Sequence, residues 1–103
     1  MDDTPVIVFA SFRPSAGKQQ SLHDLLAWMV IHTRDEPGCE RYDLYRRTAD
    51  DGESFHLFER YRNDGALQAH RTTDHYLEYR RKVVDLLDGE IDVLVLDGLD
   101  VAP

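Results

Sequence analysis

The stretch "VIVFASF", residues 6–12, constrains the fold more than any other part of this sequence. It is short, rich in β-branched and aromatic residues, and stopped by Pro14, so it predicts a strand. Val6, Val8, Ala10 and Phe12 fall on one face, Ile7 and Phe9 on the other. A strand that is apolar on both faces needs cover on both. Helices can supply one cover, and something else must supply the second.

The remaining elements follow from periodicity. Leu22, Leu25, Leu26, Met29 and Thr33 recur at helical spacing, with Ser15 or Ser21 as a candidate cap, and the pattern stops at "DEPG", residues 35–38. Trp28 sits at the edge of that stripe. "CERYDLYRR", residues 39–47, alternates, with Tyr42 and Leu44 on one face and Tyr45 opposite. Asp51-Gly52 is a turn signal within the polar loop 48–54. "FHLFERY", residues 55–61, alternates again: Phe55, Leu57, Glu59 and Tyr61 against His56, Phe58 and Arg60. These two strands predict an antiparallel hairpin. A short helix follows over 63–70, capped by Asn63 or Asp64, and Thr72 and Thr73 interrupt it. A second helix is expected over 74–89, with Tyr76, Tyr79, Val83, Leu86 and Leu87 on one broad face and Gly89 just past its end. "IDVLVLDGL", residues 91–99, predicts the last strand.

The order strand, helix, strand, strand, helix, strand is the α+β, ferredoxin-like βαββαβ arrangement: a four-stranded antiparallel sheet with helices on one face. The chain's 103 residues predict a single domain over 1–103. The uncovered sheet face predicts a homodimer with facing sheets. A net charge of −8 repels phosphate backbones and argues against nucleic acid. No apolar run approaches the ~20 residues of a membrane span. "MDDTPVIVFA" begins acidic, without the basic region of a signal peptide, and Cys39 is the single cysteine; the expectation is a reducing cytoplasm.

Two stretches carry a resemblance. "EPGCERYDLYR", residues 36–46, and "HLFERYRNDGALQAHRTTDHYLEY", residues 56–79, resemble the antibiotic biosynthesis monooxygenase family, a branch of the dimeric α/β-barrel proteins. The resemblance covers about residues 6–96. It implies oxygenation of phenols, anthrones or quinols without flavin, haem or metal, so no cofactor is expected. It also implies a pocket in each subunit between sheet and helices, lined here by Tyr42, by Phe58 or Glu59, and by His70, His75 and Tyr76. Relatives that isomerise small carbonyl compounds, or that only bind small molecules or serve in stress responses, keep those two alternatives open.

Cofactor-free oxygenation needs a base to ionise the substrate, an apolar box, and donors for the anion. His70 or His75 is the candidate base, and Tyr42, Tyr61 and Tyr76 are candidate donors. Phe9, Trp28, Phe58 and Leu67 are candidates for the box, and Arg13 for a cation at the mouth. The expected ligand is a small aromatic or quinol-like molecule. Glu59 is expected to pair with an arginine such as Arg41, and Cys39 to behave as a small hydrophobe. No metal site is expected: zinc-binding helical histidines sit four apart, whereas His70 and His75 are five apart across the Thr72-Thr73 break. Haem-degrading relatives have an asparagine on the first strand, a tryptophan on the short helix and an axial histidine. Here Ile7, Phe9 and Ser11, then His70, then Arg80 fall at those places, and arginine cannot ligate iron as a neutral imidazole does.

Overall fold

The computed structural model describes residues 4–102. The outermost residues of the expected 1–103 domain, including the acidic start at Asp2 and Asp3, lie outside the described residues. The elements are β1 (Val6–Phe12), α1 (Gln19–Arg34), β2 (Cys39–Ala49), β3 (Gly52–Tyr61), α2 (Asp64–His70), α3 (Asp74–Val83) and β4 (Asp92–Asp97). The strands form one antiparallel sheet in the order β2-β3-β1-β4, which is the ferredoxin-like topology expected. Among the described residues no helix is long and apolar enough to cross a membrane.

The pleat sorts the side chains as the alternation predicts. Val8, Ala10 and Phe12 of β1 and Phe55, Leu57, Glu59 and Tyr61 of β3 are buried beneath the helices. Leu22, Leu26, Met29 and Thr33 bury the inner face of α1 against them. The opposite sheet face carries Ile7, Phe9, Phe58, Leu94, Leu96 and Tyr45. There His56 stacks on Phe9 with ring centres 5.7 Å apart and is held between the hydroxyls of Ser11 and Ser54. Only part of β2 is apolar on that face, since Arg41 and Asp43 pair there. β4 is an edge strand, and Val93, Leu94, Val95 and Leu96 are all exposed.

Four local details differ from expectation. Neither Ser15 nor Ser21 caps α1; Lys18 takes the cap position without a side-chain hydrogen bond. The hairpin turn falls one residue earlier, on Asp50-Asp51, because Ala49 pairs with Gly52, whose positive φ of 118° suits glycine. α3 stops at Val83 and passes into a 3₁₀ turn over Val84–Leu86. The backbone there is captured by the loop after β1: Ser15 N donates to Leu86 O, Asp88 N donates to Arg13 O, and Leu87 bridges to Pro14. The last strand is shorter than 91–99 at both ends.

The corner between α1 and β2 packs on α2. A Cβ built on Gly38 would overlap the Cβ of Ala66, and Gly38 O accepts the amide of Arg62. Gly38→Ala should therefore lower stability by about 1–3 kcal/mol through overpacking. Gly65→Ala, on the same helix, meets only ordinary contacts and should be neutral or stabilising by about 0.5–1 kcal/mol. Urea midpoints at unchanged slope would check both.

Candidate active site

The site is assembled at the break between α2 and α3. Asn63 caps α2, its Oδ1 accepting the Ala66 amide at 2.9 Å. His70 is the last residue of α2. Thr73 then joins the two helices: its hydroxyl donates to His70 O at 2.8 Å and accepts the amide of Tyr76 at 3.2 Å. His75 lies in the first turn of α3. Glu36, from the turn after α1, accepts hydrogen bonds from both rings on one oxygen, from His70 Nδ1 at 2.8 Å and from His75 Nε2 at 2.6 Å. The helix break therefore brings the two histidines together, which corrects the expectation that it separates them.

His70 is 3 % exposed and forms one wall of a cavity of about 40 Å³ between the sheet and α2–α3. Val8, Tyr42 and Glu59 form its floor, and Leu67, Tyr76 and Tyr79 face them. The His70 ring lies 5.1 Å from that of Tyr76, 5.2 Å from Tyr61 and 5.9 Å from Tyr42. With Nδ1 taken by Glu36, no described protein group holds Nε2. That nitrogen is then the lone-pair acceptor of the neutral ring, a tautomer assigned from the hydrogen bonding.

Burial dominates the electrostatics. Desolvation lowers the pKa of His70 below the ordinary value of 6.5, outweighing the pull of Glu36 in the opposite direction. Burial, with a smaller contribution from the Glu59 charge, raises the Tyr42 and Tyr79 hydroxyls, so both stay protonated donors at neutral pH. Glu59 is pushed up to about 7, chiefly by burial, although Tyr61 Oη donates to it at 2.5 Å and favours its anion. Cys39 is raised to about 11 by burial, which makes it a poor nucleophile.

Of the residues singled out from sequence, Tyr42, Leu67, His70 and Tyr76 line the cavity, and His75 reaches it through Glu36. Tyr61 lies behind the floor, bonded to Glu59. Phe9, Phe58 and Trp28 do not line it. Val8, Ala10 and Glu59 take the helix side of their strands, so the pleat turns Phe9 and Phe58 to the other face. Trp28 points to the outer groove between α1 and α3, its ring 4.6 Å from that of His32. Arg13 pairs with Asp51 rather than guarding the mouth. Glu59 pairs with Tyr61, not Arg41, which turns to Asp43 on the opposite face. The sequence reading missed Glu36, Tyr79, Arg71 and Arg80. Glu36 had one signal: an acid just past a helix C-terminus sits against the dipole.

The ligand atoms of Glu36, His70 and His75 lie within 4.8 Å of one another, so these three could hold a divalent cation. An ion there would have to replace two hydrogen bonds of 2.6–2.8 Å on the same oxygen.

The raised Glu59 carboxyl has a consequence for stability. A group whose folded pKa lies above its unfolded value contributes stability below the unfolded pKa and loses it as pH rises through the folded one. For Glu59 that window runs from 4.5 up to about 7. Glu59→Gln should thus become progressively more stable relative to the parent across this window, by a few degrees in Tm at pH 7.5. Thermal melts of both proteins from pH 4.5 to 7.5 would show it, and parallel curves would exclude it.

Residues 5–82 match the family described as "Antibiotic biosynthesis monooxygenase". The Mycobacterium tuberculosis protein named "Putative monooxygenase Rv0793" is 48% identical over 99 residues, covering 96% of both chains. Its solved structure superposes with a TM-score of 0.90, covering 97% of this chain and 100% of the other, at 45% identity. The crystal structure of PA3566 from Pseudomonas aeruginosa gives a TM-score of 0.85 at 31% identity, covering 94% of this chain and 96% of that one. The chain belongs to the antibiotic biosynthesis monooxygenase family.

Proposed function

We propose that this chain is a cofactor-independent monooxygenase that oxidises an electron-rich phenol, anthrone or quinol through its anion. The observation that carries this reading is a buried, neutral His70 whose Nδ1 is fixed on Glu36 and whose Nε2 has no described protein partner in a tyrosine-lined cavity. Family membership and the monooxygenase name of the M. tuberculosis relative support the general class.

In this mechanism Nε2 of His70 takes a proton from the substrate hydroxyl or the acidic ring carbon. The imidazolium that forms is balanced by Glu36, as in a carboxylate–histidine dyad. Tyr42 and Tyr76 donate to the substrate oxyanion. The anion then passes one electron to O₂, the two radicals combine into a peroxide, and loss of water leaves a carbonyl. One oxygen atom enters the product and the other leaves as water; the substrate supplies all four electrons that O₂ accepts and both protons of that water, one of them by way of His70. The cavity holds the volume of only two or three water-sized spheres. An aromatic ring therefore enters only as the mouth opens.

Oxygen uptake by metal-free protein with an anthrone and hydroquinone panel tests the reading. His70→Ala should lower kcat/KM by about 10²–10⁴. Glu36→Gln should also lower it, and because Glu36 raises the pKa of His70, the acid limb of the profile should move to lower pH. If neither His70→Ala nor His75→Ala changes the rate, the base assignment fails. Turnover that persists without oxygen would point to an isomerase, and tight binding without turnover to a binding protein.

We also infer that two copies pair through the open sheet face, where Phe9, Phe58, Leu94 and Leu96 form an apolar surface. Light scattering at micromolar concentration should give twice the 11.9 kDa chain mass, and a monomer would exclude the pairing.

A further inference from the structure

The cavity mouth is basic in an acidic protein. The chain carries 20 Asp and Glu against 12 Lys and Arg, and most of its surface disfavours an anion. Arg13, Arg34, Arg41, Arg60 and Lys82 are each paired with a carboxylate. Arg71 and Arg80 form no such ion pair among the described residues, although Arg80 acts on the Tyr79 hydroxyl by charge and hydrogen bond, and both line the cavity. Other arginines are unpaired too; these two differ in facing the space where a substrate would lie.

Their placement is specific. Arg71 directly follows His70, at the C-terminal cap of α2, and is half-buried. It is near enough for its charge to favour the anion of Glu59 and to oppose protonation of His70. Arg80 lies one turn beyond Tyr76 on α3 and borders two spaces. One is the inner cavity of about 40 Å³; the other is an outer groove of about 470 Å³ of mixed lining, with Val84, Leu87 and Ile91 beside the carboxylate of Glu90. Arg80 and Val93 belong to both and so stand between them. A ligand with its reacting ring at His70 and the rest of its body in the outer groove must pass Arg80.

Balancing Glu59 does not account for the pair. Arg71 reaches it only at long range, since no ion pair forms within 4 Å among the described residues, and Arg80 has no part in it. A neutral ligand would gain little from either guanidinium. An anion entering a partly desolvated mouth would gain charge-assisted, potentially bidentate hydrogen bonds.

Resting on the monooxygenase reading of this cavity, we propose that the substrate carries a carboxylate beside its oxidisable ring, and that Arg71 and Arg80 hold it at the mouth. The two guanidiniums then select the substrate and set the depth at which its ring meets His70.

The probes are 1,4-dihydroxynaphthalene-2-carboxylate and the corresponding carboxamide, which differ in charge and little in shape. Titration calorimetry without oxygen separates binding from chemistry. The carboxylate should bind at least about tenfold more tightly than the carboxamide, with a preference that shrinks as salt rises. Arg71→Gln and Arg80→Gln should each reduce that preference severalfold while leaving carboxamide affinity within about twofold. Equal affinities, no binding of the carboxylate, or a preference that survives in the double variant would overturn the proposal. Oxygen is then admitted. A carboxylate preference without oxygen uptake upholds this inference and removes the monooxygenase reading. Oxygen uptake with no preference in Kd or kcat/KM does the reverse.

Discussion

One carboxylate oxygen organises this molecule's chemistry. Glu36 Oε2 accepts from His70 at 2.8 Å and from His75 at 2.6 Å, and so ties the turn after α1 to the break between α2 and α3. Two consecutive helices and a turn 34 and 39 residues before their histidines meet at that atom. Without it, the buried His70 ring would have no described partner at either nitrogen, and losing the Nδ1 bond would cost about 1–3 kcal/mol. With it, the ring has one orientation and one neutral tautomer.

The floor of the site shows the same economy of partners. Glu59 and Tyr61 are both buried on the helix face of β3, two residues apart, and satisfy each other. Tyr42 lies opposite Glu59 in the β2–β3 ladder and shares its face. A sheet that bore only aliphatic side chains here would pack well and do nothing. Tyr42 and Glu59 place polar groups on the floor of the cavity, with Tyr61 bonded behind them. Burial keeps the tyrosines protonated, and it raises the Glu59 carboxyl to about 7.

The fold was legible because it rests on local signals. Alternation in 6–12 and 55–61, the leucine stripe of α1, and Asn63 at the start of α2 each declare an element, and their order determines the topology. The end of α3 was illegible because a backbone bridge from Leu87 to Pro14, not any local breaker, stops it. The site was half legible. His70, Tyr42, Tyr76 and Leu67 were placed by residue type and resemblance. Phe9 and Phe58 were misplaced because VIVFASF is apolar on both faces, so hydrophobicity cannot say which face meets the helices. Glu59, the one acid in residues 55–61, lies on the face that meets the helices. Glu36 was illegible because its partners are 34 and 39 residues away, beyond any spacing rule.

The shared oxygen also bears on how strong a base His70 can be. For both rings to donate to Glu36, His70 carries its proton on Nδ1 and His75 on Nε2. A carboxylate that already accepts one N–H has less charge to offer a second. His75 thereby moderates the stabilisation that Glu36 gives to a protonated His70, and its own charge, when present, opposes that state further. Burial acts in the same direction. The outcome is an imidazole that is neutral at rest, oriented, and only weakly inclined to keep a proton. In the proposed mechanism a base of that kind would return the proton once the peroxide needs one to release water, and so would favour turnover over capture.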